Sequence, residues 1–443
     1  MRILITTDWY EPVINGVVTS VLTLKRELVK RGHEVKVATL SDCGHSYKKD
    51  DVYYMRSVDI SRIYPGARAV CFPDSSLYEE LLEWQPDLIH SQCEFSSFLI
   101  ARKIAGKLGI PVVHTYHTVY EDYTHYFSAG RPWGRQAAAW FSRFILEKTD
   151  FVIAPTAKVK KLLESYGVDR PVAVIPTGIR LERFLPVSWE QVDEDRNRIR
   201  EQYGIDEGQK VLLVLGRLAK EKNIEEIISF FGQMNRDDME LLIVGDGPYR
   251  KELEELADLQ KNSSRIHFTG MISPEETTAY YRAGDMFVSS SQSETQGITY
   301  LEALSSGLPV ICRKDPCVEG IVKRNENGFQ YETYEEFRDE ILKIAGDTAW
   351  RNFLSAGAVR TGLEFGAGQF GEKVCAVYAA ALAGRRSRMK LCMKRAAASC
   401  RQKHNKFEES MVKKPCFFDG PFLIYFIIYF TKLIYLTNLL NLL

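Results

Sequence analysis

Residues 210–247 read KVLLVLGRLAKEKNIEEIISFFGQMNRDDMELLIVGDG. An unbroken apolar run ends in Gly216, a helical stretch starts at about Asn223, and a second apolar run closes on Gly245 and Gly247. This is how a β-α-β unit with strands buried on both faces reads. The rhythm continues downstream with a helix from about Tyr249, RIHFTG, DMFVSSS, a helix near Ile298 to Ser305, and LPVICR. Upstream it has already run once, through RILITT, a helix near Val17 to Arg31, EVKVATL, DLIHSQ, a helix near Phe98 to Leu108, PVVHTYH, FVIAPT and VAVIPTG. The expectation is an α/β chain of two doubly wound parallel-sheet domains, residues 1–178 and 179–364, joined near Thr177 to Pro186. Ligands of such sheets gather beyond the carboxyl ends of the strands, so the chemistry is sought in the cleft between the domains. Residues 365–382, FGAGQFGEKVCAVYAAAL, read as a late helix with Val374, Val377, Tyr378 and Leu382 on one face, its docking surface left open.

The 443 residues exceed what one core serves, and 45% hydrophobic with 26% charged residues is ordinary globular composition. A formal net charge of zero conceals an asymmetry. Residues 385–443 carry 12 Lys and Arg against 3 Asp and Glu, leaving 46 against 55 in residues 1–384. An acidic body argues against nucleic acid as a partner, whereas a basic stretch beside an apolar one suits an anionic membrane surface. The nine cysteines (43, 71, 93, 312, 317, 375, 392, 400 and 416) include no Cys-x-x-Cys pair and no His at zinc-finger spacing, which favours buried reduced thiols. The opening MRILITTDWYEP lacks an apolar core of signal-peptide length, so the body is expected in the cytoplasm.

Four elements carry chemistry. In SSSQSETQGITYLEALSSGLPVI, Glu294 falls in the loop after a strand and Glu302 about a turn inside the next helix, with Gly297 between them. One carboxylate suits sugar hydroxyls and the other a ribose diol, while the helix start offers free N–H groups to a phosphate. In LGRLAKEKNIEE, Arg217 ends a strand and Lys222 follows five residues on. Two fixed cations there can neutralise a departing diphosphate, the work a divalent metal does elsewhere. In DWYEPVINGVVTSV, Gly16 opens the first helix and lets backbone pass beside phosphate oxygens. In HTYHTVYEDYTHY, His117 ends a strand and faces the same cleft, whereas His114 and His125 read as structural. Each element alone is ordinary; the weight lies in their combination.

In this order and spacing the four elements resemble the family 4 retaining nucleotide-sugar glycosyltransferases, which share the two-Rossmann GT-B fold. The likeness covers residues 1 to about 382, and HTVYEDYTHY with SETQGITYLEAL is similar to the branch of bacterial diacylglycerol glucosyltransferases that use UDP-glucose. The resemblance implies that Gly16, Arg217 and Lys222 hold the diphosphate and that Glu302 takes the ribose. It implies that Glu294, with Thr295, Gln296 and Gly297, meets the donor sugar, that His117 lies against that sugar, and that backbone near Gly270 and Met271 meets the uracil. His117, Glu294, Arg217 and Lys222 form the catalytic set. The last helix would cross back to the first domain. No cofactor is required and no metal ligands are implied, although a divalent ion is compatible as a stimulant. The sequence departs from the lipid-enzyme wording at RKDPCVEGIVKRNENGF.

A lipid acceptor needs an interfacial surface. RPWGRQAAAWFSRFILEK offers Trp133, Trp140, Phe141, Phe144 and Ile145 among Arg131, Arg135, Arg143 and Lys148, with Arg102, Lys103 and Lys107 nearby. It reads equally as a headgroup-layer helix or as an amphipathic helix packed on the sheet. The tail, residues 385–443, ends in PFLIYFIIYFTKLIYLTNLLNLL, which reads as a marginal span, a cytoplasmic-face anchor, or AT-rich translated sequence after a frame slip near Gly384. The acceptor alternatives are diacylglycerol and a saccharide or polyprenyl-linked sugar. Glu302→Ala and Lys222→Ala should abolish transfer with the fold intact, as judged by circular dichroism beside an activity assay, and anionic lipid should raise the rate.

Overall fold

The computed structural model describes residues 1–60, 67–70, 75–123, 132–185 and 188–404. The first domain carries strands β1 (Arg2–Thr6), β2 (Glu34–Leu40), β3 (Tyr47–Lys49), β4 (Val52–Met55), β5 (Ser57–Asp59), β6 (Arg68–Val70), β7 (Leu88–Ser91), β8 (Val112–Thr115), β9 (Phe151–Ala154) and β10 (Val172–Val174). Eight form one sheet in the order β10-β9-β8-β7-β1-β2-β4-β3, parallel except for β3 on β4, and β5 pairs with β6 alone. The second domain carries β11 (Lys210–Leu215), β12 (Met239–Val244), β13 (Ile266–Phe268), β14 (Met286–Ser289), β15 (Val310–Arg313) and β16 (Gly328–Tyr331). They form a wholly parallel sheet in the order β13-β12-β11-β14-β15-β16.

The anticipated strands are apolar through and through because helices cover both faces of each sheet. Ile3, Leu4 and Ile5 of β1 are all fully buried, Ile3 and Ile5 in one core and Leu4 in the core on the other side. In the second sheet Leu213 and Leu242 face one core, and Leu212 and Leu241 the other. Each such side chain contributes about 1.5–3 kcal/mol of burial. Strands β3 to β6 and β16 were not anticipated. The first four are three or four residues long, too short to show an alternation.

The helix Gly16–Lys30 starts where Asn15 caps it, its Oδ1 accepting from the Val18 amide at 2.9 Å. Val21, Leu24 and Leu28 recur along its buried face and pack against the last helix. That helix takes up the docking question left open above. Phe370, Val374, Val377, Tyr378 and Ala381 join the core of the first domain, so the chain crosses back. It begins at Ala367, and the expected end near Gly384 is corrected, for the helix runs unbroken to His404. Arg385 still grips the body, donating from Nε to the Gly109 carbonyl at 2.8 Å and approaching Asp150 at 3.4 Å. Residues 405–443, which hold the apolar tail, lie outside the described residues.

Tyr378 fastens this helix by a buried contact. Its hydroxyl lies 2.7 Å from His90 Nδ1, and the other ring nitrogen of His90 lies 2.7 Å from Thr115 Oγ1. Burial drives the His90 pKa well below its ordinary value, so the ring is neutral and needs both partners. Tyr378→Phe should therefore cost about 1–3 kcal/mol in urea unfolding, the penalty for a buried polar atom left unpaired.

Candidate active site

The carboxyl ends of the two sheets face each other across a cleft of about 1870 Å³. From the first sheet Asp8 follows β1, Gln92 and Glu94 follow β7, and His117 follows β8; from the second, Arg217 follows β11, Asp246 follows β12, and Ser290 to Gln296 follow β14. Parallel register is the cause, because it brings every strand to its end on the same side.

Two helix starts meet here. A Cβ on Gly16 would lie 3.6 Å from Ile298 Cδ1, so the first residues of helices Gly16–Lys30 and Ile298–Ser305 approach across the cleft. Gly297 precedes the second helix at φ +70, and a Cβ there would fall 2.1 Å from the Tyr300 ring, which excludes any other residue. Their free N–H groups face the same space.

Lys222 closes a short turn after β11, and its Nζ donates to Glu294 Oε1 at 2.5 Å. Burial alone would raise the Glu294 carboxyl, but the Lys222 ammonium, the Ser291 hydroxyl and Lys158 together hold it below the usual range. Serines of the loop reinforce this union, Ser290 Oγ donating to the Asn223 carbonyl at 2.5 Å and Ser293 Oγ to that of Glu221 at 3.0 Å. Arg217 donates to the buried Glu221 carboxylate. Both cations of the motif are thus held by carboxylates, with Lys222 fixed against the loop that carries Glu294.

Glu302 accepts from the Tyr281 hydroxyl at 2.9 Å. Burial pushes its carboxyl up to about 7, against the pull of Tyr281, Arg183 and Arg180. His117 is half-buried and lies 2.8 Å through Nε2 from Gln92 Oε1. Burial, with His114 adding repulsion, lowers its pKa to about 3, so the imidazole is neutral at physiological pH. His114 is fully buried and pairs with Glu94 at 3.1 Å, away from solvent, as a structural histidine does; His125 lies outside the described residues.

Gly16, His117, Arg217, Lys222, Met271, Glu294, Thr295, Gln296, Gly297 and Glu302 all line this one cleft. Gly270 does not. It is buried behind Met271 with its carbonyl accepting from the Gly245 amide at 3.1 Å, so the wall here is Met271 and Ile272. The Gln296 side chain is engaged with the linker, taking the Thr177 amide at 2.6 Å and donating to the Thr177 carbonyl at 2.8 Å.

Sequence reasoning missed Asp8 and Gln92, although each follows a strand end just as Arg217 does, a signal that was present. Burial pushes the Asp8 carboxyl up to about 6. It also missed Arg180, a half-buried cation in the cleft wall, and Lys158, whose partners lie more than 130 residues away.

The family model Glycosyltransferase Family 4 matches residues 14–183, and the model Glycosyl transferases group 1 matches residues 195–357. The chain is a family 4 glycosyltransferase. It is 39% identical over 353 residues to the alpha-monoglucosyldiacylglycerol synthase of Streptococcus pneumoniae, covering 77% of this chain and 78% of that protein. It is 32% identical to the enzyme of the same name from Acholeplasma laidlawii, covering 78% of this chain and 88% of the relative. Among solved structures, sucrose-phosphate synthase from Thermosynechococcus elongatus superposes with a TM-score of 0.68 at 21% identity, over 86% of this chain and 99% of that one. That likeness shows the GT-B fold, and the relatives make the chain a hexosyltransferase.

In this glycosyltransferase the basic aromatic segment forms the helix Pro132–Leu146, and its apolar residues divide. Phe141 and Ile145 are core, packed with Phe98, so for these two the packed alternative holds. Trp140 is 49% exposed and stacks on Phe144 at 5.2 Å, with the Lys148 ammonium 4.3 Å from the Phe144 ring centre. The neighbouring cations serve the domain itself. Arg102 donates to the Lys148 carbonyl at 2.7 Å, and Lys103 and Lys107 lie over the Tyr78 ring at 5.0 and 4.9 Å. Arg131 and the side chain of Trp133 lie outside the described residues. Among those described, no helix is long and apolar enough to cross a membrane, and no three His, Cys, Asp or Glu side chains are grouped to hold a metal ion.

Proposed function

We propose that this glycosyltransferase moves glucose from UDP-glucose to the free hydroxyl of 1,2-diacylglycerol, with retention, giving an α-monoglucosyl lipid. The observation that carries the reading is the two-sided cleft. One side gathers the Lys222–Glu294 pair, Arg217 and two helix starts around a space for a sugar diphosphate. The other is lined by Val70, Phe95, Leu99, Val119 and Phe141, an apolar wall suited to acyl chains. The identity with two alpha-monoglucosyldiacylglycerol synthases supports the same pairing.

The chemistry follows from what faces the cleft. The bond between the anomeric carbon and the diphosphate oxygen breaks, the acceptor oxygen bonds to that carbon on the same face, and its proton passes to the departing diphosphate. Lys222, Arg217 and the helix N-termini stabilise the charge that develops there. Glu294, held ionised by Lys222, accepts from sugar hydroxyls; the same ion pair makes it a poor nucleophile, which favours the front-face route over a covalent intermediate. Neutral His117 offers the sugar a polar contact without a competing charge. Because Arg217 and Lys222 supply the positive charge, no metal is required for this step. The exposed Trp140 and the half-buried Phe144 on which it stacks, with Lys148 and Arg135, form the surface that meets anionic lipid at the inner face of the membrane, making the enzyme peripheral.

Glu302 makes the donor site sensitive to pH. A ribose diol donates to a carboxylate, so binding requires the ionised form, and Glu302 loses its proton only near pH 7. The affinity for UDP should fall by about tenfold between pH 8 and pH 6, and calorimetry on Glu302→Gln should show that component removed. The function itself is tested with UDP-[14C]glucose and mixed micelles of diacylglycerol and phosphatidylglycerol, using the full chain and a form ending at His404, so that the last helix stays whole. Thin-layer chromatography should show a labelled monoglucosyl lipid from both, more with anionic lipid than without. Label on a saccharide acceptor alone would overturn the acceptor assignment.

A further inference from the structure

We infer that Lys158 is a positioning residue for the donor sugar: it reaches from the first domain and holds the loop 292–296 of the second in the shape that places Glu294 in the cleft. The inference rests on the reading that Glu294 meets the sugar.

Lys158 lies in the first turn of the helix Ala157–Ser165, just after β9. Its ammonium donates to both oxygens of Asp315, at 2.9 and 2.8 Å, and to the carbonyls of Gln292 at 3.0 Å and Glu294 at 3.4 Å. Asp315, which is 6% exposed, is itself fixed by the Cys317 amide at 2.6 Å. Two further contacts cross between the domains at the same loop. Thr156 Oγ1 donates to the Thr295 carbonyl at 2.9 Å, and Gln296 clasps the Thr177 backbone. The carboxylate of Glu294 meets Lys222 of its own domain, while its backbone is held by Lys158 of the other.

This division has a physical consequence. An ammonium with four acceptors around it cannot leave without stranding Asp315, a nearly buried carboxylate. Lys222, Ser290 and Ser293 hold the loop from within its own domain, and Lys158 adds an anchor that exists only while the domains sit together as they do here. Of the residues assigned to the nucleotide, Arg217, Lys222 and Glu302 belong to the second domain and only Gly16 to the first, so UDP binding depends less on the placement of the domains than the sugar's contact with the anchored loop does. Asp315 falls within RKDPCVEG, the stretch where the sequence departs from the family's wording, and Lys158 is its partner.

The test compares Lys158→Met, Asp315→Asn, the double variant and Lys158→Arg in the full chain. Hydrogen exchange should quicken in peptides covering 290–297 of Lys158→Met and stay unchanged in the β11–β12 core. The kcat should fall by about tenfold or more, with Kd for UDP kept within about twofold. Asp315→Asn should match it, the double variant should be no worse than either single, and Lys158→Arg should recover part of the rate. Unchanged exchange and kcat in Lys158→Met would overturn the assignment, and so would a loss of UDP affinity as large as the loss of kcat, which marks a merely structural role. If the wild type turns over no UDP-glucose, the donor assignment fails, and the exchange of 290–297 still decides the role of Lys158 in holding the loop.

Discussion

Everything in the cleft depends on one junction, where the chain passes between its domains twice at the same place. On the way out, the Ile179 amide donates to the Phe365 carbonyl at 2.9 Å; on the way back, the Ala367 amide donates to the Ile179 carbonyl at 2.9 Å. Gly178 makes this crossing possible, because a Cβ there would fall 2.6 Å from Phe370 Cβ and 2.7 Å from Ala367 Cα. With the two passages joined, the helix Ala367–His404 packs on the first domain, and the carboxyl ends of both sheets are turned toward each other. A single linker would leave the relative placement of the sheets to one loop, whereas two hydrogen-bonded passages tie it at a second place.

The cleft so formed separates its charges by origin. Cations and carboxylates from the second sheet neutralise one another in pairs, Lys222 with Glu294 and Arg217 with Glu221. In the proposed function a diphosphate entering beside them meets cations already held in place, so that little side-chain entropy is lost on binding. The first sheet contributes neutral His117 and an apolar wall, and the Glu94 carboxylate beside it is taken up by His114 and Tyr120. Water excluded by that wall strengthens each charge contact on the facing side.

The helix Pro132–Leu146 shows how one amphipathic stretch serves two surfaces. Phe141 and Ile145 fill the space against Phe98, Phe144 lies half-buried at the edge of that cluster with Lys148 over its ring, and Trp140 stacks on Phe144 from the solvent side. An arginine and aromatic composition alone does not say which ring is which, because a helical period of 3.6 lets neighbouring apolar positions point into different environments.

How much could be read before folding follows from the range of the interactions involved. Strands such as KVLLVLG and MELLIVG are buried on both faces and announce themselves locally, as does the glycine that Tyr300 demands at position 297. The order of Gly16, His117, Arg217, Lys222, Glu294 and Glu302 beyond successive strand ends was therefore visible, and parallel topology guarantees that they share a side. That Met271 lines the cleft while Gly270 is buried beside it is a matter of burial, which the sequence of the two does not show. The three- and four-residue strands of the 47–70 region and the continuation of the last helix past Gly384 left no local pattern to find. By itself, then, the sequence determined the two doubly wound domains and the family to which the chain belongs, since these rest on periodicity and short motifs. Only the tertiary structure decided which carboxyls burial pushes upward, which aromatic side chains stay exposed, and that Lys158 reaches the loop 292–296 of the other domain. Those properties arise from burial and from contacts between residues far apart in the chain, which no local pattern encodes.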